Sequence, residues 1–430
     1  MKKIALILVL ALALSFIGCN VGDGDDGNKN GVIGDGTVDI TVLKNSSPTS
    51  FLIGGKCEVG AKVTVTGGKS TVSTNSDNGD FLIEVFYTDV TTLKLTTQVP
   101  GKDPSKEIEI EVAPDEFAED LFEKYDKIKE QGVGIVVGYN YMTYFSSCLP
   151  GFLGEDVLKS DDVTNLTERT QNKLKTLRDE GCEAELIYLV VPNTMMIWEE
   201  DVPVSYDKYK GKTLLSQWKE AVTDGGATVI DLTKVMTDHK KDEFKIWHKT
   251  DSHWTEYGAY LAYVELMNYI AKEYPDAAPR PASDFEFYNQ EVNFGDISHR
   301  LELDPSDLKE TTAFVNFKFD PPHFNKDFDK GHLGMDLYKK DTIDINHDRV
   351  SFAHVTNSNV QDKNLPSAYI LRDSFEGALH AFYTDRFSTA TFQAMWSLGF
   401  FDTNSIVKAN PDYIICVVGE RNLAGSVVNH

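Results

Sequence analysis

Three short runs, "ELIYLVV" (Glu185–Val191), "SAYIL" (Ser367–Leu371) and "DYIICVV" (Asp412–Val418), are apolar at nearly every position instead of at alternate ones. A strand built that way must be covered on both faces, as in a parallel sheet between helical layers. The segments between them supply the helices. Val163–Glu180 has a helical period and stops at Gly181, and Leu214–Thr223 precedes the short strand "ATVIDL". Thr255–Tyr274 places Ala259, Ala262, Tyr263, Leu266, Tyr269 and Ile270 at helical spacing, with Thr255 as expected N-cap and Pro275 as expected stop. A further helix is expected from Phe375. This alternation predicts an α/β architecture, a mainly parallel sheet with helices on both faces. "GIVVG" (Gly134–Gly138) reads as one more strand and Ala113–Gly132 as an amphipathic helix, whereas Pro275–Asn364 breaks the rhythm and reads as an insertion.

The region before it has a different texture. Between Val38 and Val112, "VDITVLK", "AKVTVTGG", "STVST", "DFLIEVFY", "TLKLTTQV" and "EIEIEV" alternate with period two and are separated by turns such as "SDNGD". That pattern predicts a small antiparallel sandwich over residues 38–113. "GAKVTVTGG" followed by "NGDFLIEV" resembles bacterial Ig-like surface modules, which implies a spacer, with carbohydrate binding as the other reading.

The first 18 residues, "MKKIALILVLALALSFIG", have the charged start and short apolar run of an export signal, too short for a stable membrane span. "FIGC" resembles a bacterial lipobox, which implies cleavage before Cys19 and lipidation of its thiol. Residues 19–37, rich in Gly, Asp and Asn, cannot bury a core and read as a tether. The expected location is therefore exported and membrane-anchored, periplasmic or at the cell surface. A formal charge of -25 argues against nucleic acid as a partner. Cys57, Cys148, Cys182 and Cys416 match no zinc spacing; Cys416 reads as strand packing, and Cys148 and Cys182 could pair in an exported chain.

Candidate chemistry sits in "KTDSHWTEYGAY". Thr255 suffices as a cap, so Asp251 and His253 need another explanation. A metal site would have to recruit His248, and no further ligand pattern accompanies the three, so no metal and no cofactor is expected. A catalytic pair would need a nucleophile, and "SAYILRDSFEGAL" places Ser374 between a buried strand and a helix. There its hydroxyl would lie near unpaired helix-start amides able to receive an oxyanion. His253 would then act as base and Asp251 would hold the imidazole. Taken alone, Ser374 is equally an N-cap serine.

"TDSHWTEYGAYLAY", "ILRDSFEGAL", "YLVVPNTMMIWEEDVP", "FGDISHRL" and "PDYIICVVGERNL" together resemble the SGNH-hydrolase-like domain of the alginate O-acetylation proteins AlgX and AlgJ and the related DHHW family, over roughly Ala118–Leu423. The resemblance implies an SGNH-like domain over 118–430, with an insertion at about 275–364, and a catalytic acid, base and nucleophile at Asp251, His253 and Ser374. Ser252 stands where relatives commonly have His or Thr, and Trp254 is expected to pack. Arg372 and Arg421 are candidates for binding an anionic sugar, with surface charge and a structural ion pair as the alternatives; Tyr139 and Asn140 are weaker candidates. The implied activity is transfer or removal of O-acetyl groups on a cell-envelope or secreted polysaccharide through an acetyl-enzyme. Transfer would need a membrane-bound O-acyltransferase as donor; the competing reading is a non-catalytic polysaccharide-binding lipoprotein with a degenerate hydrolase fold.

Overall fold

The computed structural model describes residues 38–112, 134–319 and 356–423, except 48–49, 88, 90, 139–141, 203–205, 207, 250, 293–294, 301–309, 360–361, 363 and 396–400. Cys19, the signal and tether readings and the expected helix Ala113–Gly132 lie outside the described residues, as do Tyr139 and Asn140.

The N-terminal region is all antiparallel. Strands β1 (Asp39–Ser47), β2 (Ser50–Lys56) and β5 (Asp80–Phe86) form one sheet in the order β1-β2-β5. Strands β3 (Ala61–Thr66), β4 (Val72–Ser76), β6 (Thr91–Gln98) and β7 (Ile108–Val112) form another, ordered β4-β3-β6-β7. The period-two residues Ile53, Val63, Val65, Ile83, Val85, Leu93, Leu95 and Ile110 meet in one core between them. Strand β2 was not among the expected runs, and Gly54–Gly55 lies within it. These glycines allow close strand contact: a Cβ on Gly55 would lie 2.0 Å from the Asp39 carbonyl oxygen.

After β8 (Ile135–Val137) and β9 (Thr143–Phe145) come helices α1 (Leu149–Leu153) and α2 (Ser160–Asp179), strand β10 (Glu185–Val191), and helices α3 (Thr194–Ile197) and α4 (Leu214–Asp224). Then follow β11 (Thr228–Asp231), α5 (Thr233–His239), α6 (Glu256–Ile270), β12 (Phe285–Val292), α7 (Asp296–Arg300) and β13 (Glu310–Phe317). The rest comprises β14 (Thr356–Asn359), β15 (Ser367–Arg372), α8 (Glu376–Tyr383), β16 (Thr389–Ala394), α9 (Thr403–Ala409) and β17 (Tyr413–Gly419).

The central sheet runs β11-β10-β17-β15-β16-β14, parallel throughout except for β14, which pairs antiparallel with β16. Its central strands β10, β15 and β17 are apolar at nearly every position because both faces are covered. Ile187, Leu189, Val191, Ile370, Ile415 and Val417 face a core that includes Ala262, Leu266 and Ile270 of α6 and Leu379 and Phe382 of α8. Their neighbours Leu186, Tyr188, Val190, Leu371, Ile414, Cys416 and Val418 face Leu166 and Leu174 of α2 and Leu215, Trp218 and Val222 of α4.

The structure corrects one expectation, the end of the helix from Thr255, and resolves the open pairing of Cys148 and Cys182. The expected "GIVVG" strand forms as β8, which pairs with β9, and Val136 packs with Tyr144, Phe152 and Met195 in a cluster apart from the central sheet. Helix α6 ends at Ile270, before Pro275, which opens a 3₁₀ turn; Tyr274, ahead of that proline, is held at φ -117°, ψ 82°, outside the helical region. Cys148 and Cys182 are both buried as free thiols in different clusters, so no disulfide joins them. Within the stretch 275–364, β12 and β13 pair along eight residues and pack on α6.

Candidate active site

Because β10, β15 and β17 are parallel, their carboxyl ends open on one edge, delivering Pro192–Asn193, Asp373–Ser374 and Glu420–Arg421 to one place. The loop before α6 closes on itself above this edge. Trp247 and Trp254 form an antiparallel bridge, His248 N–H donates to the His253 carbonyl at 3.3 Å, and Thr255 N–H to the Ile246 carbonyl at 3.1 Å. Thr255 caps α6 by accepting from Gly258 N–H at 3.2 Å. Gly258 is required there, because a Cβ would lie 2.2 Å from the Ile246 oxygen. The tip of this loop is Asp251-Ser252-His253.

On the sheet, Asp373 shapes the turn between β15 and α8. Its buried carboxylate accepts from Phe375 N–H at 2.9 Å, from Gly419 N–H at the end of β17 at 2.7 Å, and from Asn422 Nδ2 at 3.2 Å. Burial pushes this carboxyl up, against those hydrogen bonds. Ser374 is thereby held half-buried above the sheet edge. The two sides are stitched together by Trp254, whose Nε1–H donates to the Phe375 carbonyl at 3.0 Å, and by Phe375, whose ring centre lies 5.0 Å from that of His253.

The result is a continuous relay. His253 Nδ1 lies 2.6 Å from Asp251 Oδ1, and His253 Nε2 lies 2.7 Å from Ser374 Oγ. With Nδ1–H donated to the carboxylate, Nε2 is the acceptor for the serine hydroxyl. Asp251 is fully engaged: Oδ1 also accepts His253 N–H at 2.9 Å, and Oδ2 accepts Asp296 N–H at 2.9 Å. Burial alone would depress the imidazole, but the charge and hydrogen bond of Asp251, with Asp296 adding, hold His253 above its usual value, and Arg421 opposes them. Burial likewise works against the Asp251 carboxylate, yet His253, with His248 and the Asp296 N–H, keeps it well below the usual range.

Beside the relay is a narrow cleft open to solvent. Phe145, Trp247, Ile297 and Phe375 form apolar walls, and Ser252, Asn193 and Arg421 add polar groups. The Arg421 guanidinium lies 5.2 Å from the Phe145 ring centre and 5.0 Å from that of Phe375, with no carboxylate within 4.0 Å among the described residues. Arg372 is placed differently: it ends β15 and faces the buried Glu376, Nε to Oε2 3.6 Å, away from the cleft lining.

His248, the metal candidate, turns from the pair to Thr312, Nδ1 to Oγ1 2.9 Å. Ligand atoms of Asp251, His253 and Asp296 do lie within 4.8 Å of one another. Those atoms are occupied within the protein, His253 Nδ1 by Asp251 and the Asp296 oxygens by Ser252.

Sequence reasoning gave no role to Asp296, Asp373 or Asn193. Asp296 stands in "FGDISHRL", 45 residues from Asp251, and only the fold brings them together. Asp373 was visible as the neighbour of the serine. Asn193 donates its N–H to the buried Glu420 at 2.7 Å and accepts the Cys148 thiol at 3.3 Å, contacts no local motif announces.

No curated protein matches the chain. Among solved structures, it is similar to a DHHW family protein from Eubacterium siraeum (13% identity, 70% of this chain and 96% of that one, TM-score 0.46). It is also similar to the O-acetyltransferase domain of Pseudomonas putida AlgJ (15%, 68% and 92%, TM-score 0.39) and to Bacillus cereus PatB1 (15%, 63% and 92%, TM-score 0.43). Ser374 lies beyond the segment that the family comparison covers, whereas Asp251, His253 and Asp296 lie inside it. Residues 152–323 match the family model of the SGNH hydrolase-like domain of the acetyltransferase AlgX, the family that the motifs resemble.

Proposed function

We propose that the chain is an exported O-acetyl-transferring enzyme acting on a cell-envelope or secreted polysaccharide. The observation that carries this reading is the unbroken Asp251–His253–Ser374 relay, with both links at hydrogen-bond distance. Ser374 Oγ attacks the carbonyl carbon of an acetyl ester while His253 Nε2 takes the hydroxyl proton. The C–O bond to the donor then breaks, the same proton passes from His253 to the departing oxygen, and acetyl-Ser374 remains. In the second half, His253 takes a proton from an incoming hydroxyl, which attacks the acetyl carbon, and returns it to Ser374 Oγ. Asp251 stabilises the imidazolium in both halves. In this reading the Ser374 N–H receives the oxyanion and Arg421 an acidic substituent of the sugar.

A sugar hydroxyl as acceptor makes the enzyme a transferase, which is our reading given the family match, and water makes it an esterase. Transfer requires a donor of acetyl groups across the membrane, a membrane-bound O-acyltransferase. We further propose lipid anchoring at Cys19 and a spacer role for an Ig-like module at 38–113. Among the described residues no helix is long and apolar enough to cross a membrane.

Intact mass after exposure to p-nitrophenyl acetate tests the chemistry. Wild type should gain one acetyl group, mapped to Ser374, and Ser374→Ala should gain none. An equal adduct on both proteins, or none on either with no p-nitrophenol release above the variant, refutes the proposal.

A further inference from the structure

The relay has a second carboxylate on it. Asp296, at the start of α7, contacts the Asp251–His253 loop at three points. Its Oδ1 accepts Ser252 N–H at 2.7 Å, its Oδ2 accepts the Ser252 hydroxyl at 2.6 Å, and its own N–H donates to Asp251 Oδ2 at 2.9 Å. Oδ2 also lies 3.8 Å from His253 Nδ1, and Ser252 Oγ lies 3.5 Å from the same nitrogen. Two carboxylates therefore face one imidazole.

We propose that Asp296 is the positioning residue of the relay: it fixes the Asp251 carboxylate plane and the Ser252 backbone, and its charge favours the imidazolium formed during acetyl transfer. The assignment rests on the proposed function for its catalytic meaning and on the geometry alone for its effect on His253. It also gives the serine at position 252 a reason, since a hydroxyl there links Asp296 to the rim of the imidazole. A two-point bond from one carboxylate to the N–H and hydroxyl of one residue allows a single orientation of that residue. Asp251, with both oxygens occupied, cannot rotate without losing the Asp296 or the His253 hydrogen bond.

The groups facing the imidazole are Asp251 and Asp296, which favour its charged form, and Arg421, which opposes it, with His248 on the same loop and Asp373 and Ser374 from the β15–α8 turn. Asp296→Asn keeps a group of the same shape on Ser252 and removes the charge. Because the Asp296 side chain is 36% exposed, solvent weakens its influence. The expected displacement of the His253 titration is thus about half to one pH unit downward, with roughly a three- to tenfold slower acetylation of Ser374.

The test titrates the imidazoles of histidine-labelled full-length protein by NMR, with His253→Ala identifying the resonance, in wild type and Asp296→Asn; Asp296→Ser serves if the Asn variant does not fold. A lower His253 midpoint, matched by an acidic limb of acetylation displaced to lower pH, supports the assignment. A His253 midpoint unchanged in the folded variant overturns it, whatever the activity. If wild type forms no acetyl-Ser374, the enzymatic reading fails, and the NMR midpoint still decides the role of Asp296.

Discussion

Glu420 offers a quantitative check on the architecture under the site. It follows β17, is 4% exposed, and its Oε2 accepts the Asn193 N–H at 2.7 Å. Burial, reinforced by Asp231 and Asp156, pushes its carboxyl from 4.5 to about 7, against the Asn193 hydrogen bond and Lys208. The folded protein therefore retains a proton that the unfolded chain releases at lower pH. Stability should fall as pH rises from below 4.5 to above 7, and the gap corresponds to about 3 kcal/mol. Glu420→Gln keeps an acceptor for Asn193 and removes the titration. Near pH 4 the two proteins should be similarly stable, whereas at pH 8 the variant should be more stable by up to about 3 kcal/mol. The five tryptophans, at 198, 218, 247, 254 and 396, lie outside the N-terminal β region, so their fluorescence during urea unfolding reports on the sheet that carries the site. Identical pH dependence in both proteins would show that Glu420 is not buried as a carboxyl and would refute the placement of the β17 end.

Asp251→Asn would present an amide to His253 Nδ1, turning the imidazole to the tautomer that cannot accept from Ser374; acetylation measured by p-nitrophenol release should fall on the order of 10⁴-fold. Gly258→Ala forces a Cβ against the Ile246 carbonyl and should cost at least about 2 kcal/mol in urea unfolding, a loss that a wild-type midpoint would contradict. Cys57, Cys148, Cys182 and Cys416 are buried free thiols, and burial pushes Cys148 up to about 11 and Cys416 up to about 12. In a form beginning after Cys19, a thiol reagent should label none of them quickly in the native protein and all four in denaturant without reductant; labelling of only two would indicate a disulfide.

The relay was legible because each half carries its own local context. An acid, one spacer and a histidine precede a capped helix, and a serine follows a fully apolar strand, so both halves declare themselves within a dozen residues. The sheet was legible for the same reason: strands buried on both faces cannot alternate. Asp296 was not, because its partners are Ser252 and Asp251, 44 and 45 residues away, and a Gly-Asp pair ahead of a short helix has many uses. β8 was legible as a strand but not its partner, because three apolar residues satisfy a strand pattern equally well in a central sheet or a hairpin. The end of α6 misled because a proline restricts the residue before it, and the last turn had already loosened by then.

Under the proposed mechanism, the lining of the cleft bears on which reaction an acetyl-enzyme would complete. On the proposed reading, Phe145, Trp247, Ile297 and Phe375 leave a water on their side without a free hydrogen-bonding group, while Thr143, Asn193, Thr194, Ser252 and Arg421 line the rest. Aromatic faces do suit the flat, apolar side of a sugar ring, and Asn193 and Arg421 stand at the same cleft to orient its polar edge. Acetyl-Ser374 should then decay in buffer more slowly than it forms and be discharged faster by an oligosaccharide hydroxyl. Following the adduct by intact mass after removal of p-nitrophenyl acetate, with and without an added acceptor, separates the cases. Persistence in buffer with accelerated loss and acetylated sugar in the presence of acceptor is the transferase outcome. Loss as fast as formation, indifferent to any acceptor tried, would mean that water reaches the ester freely and that the cleft walls do not exclude it.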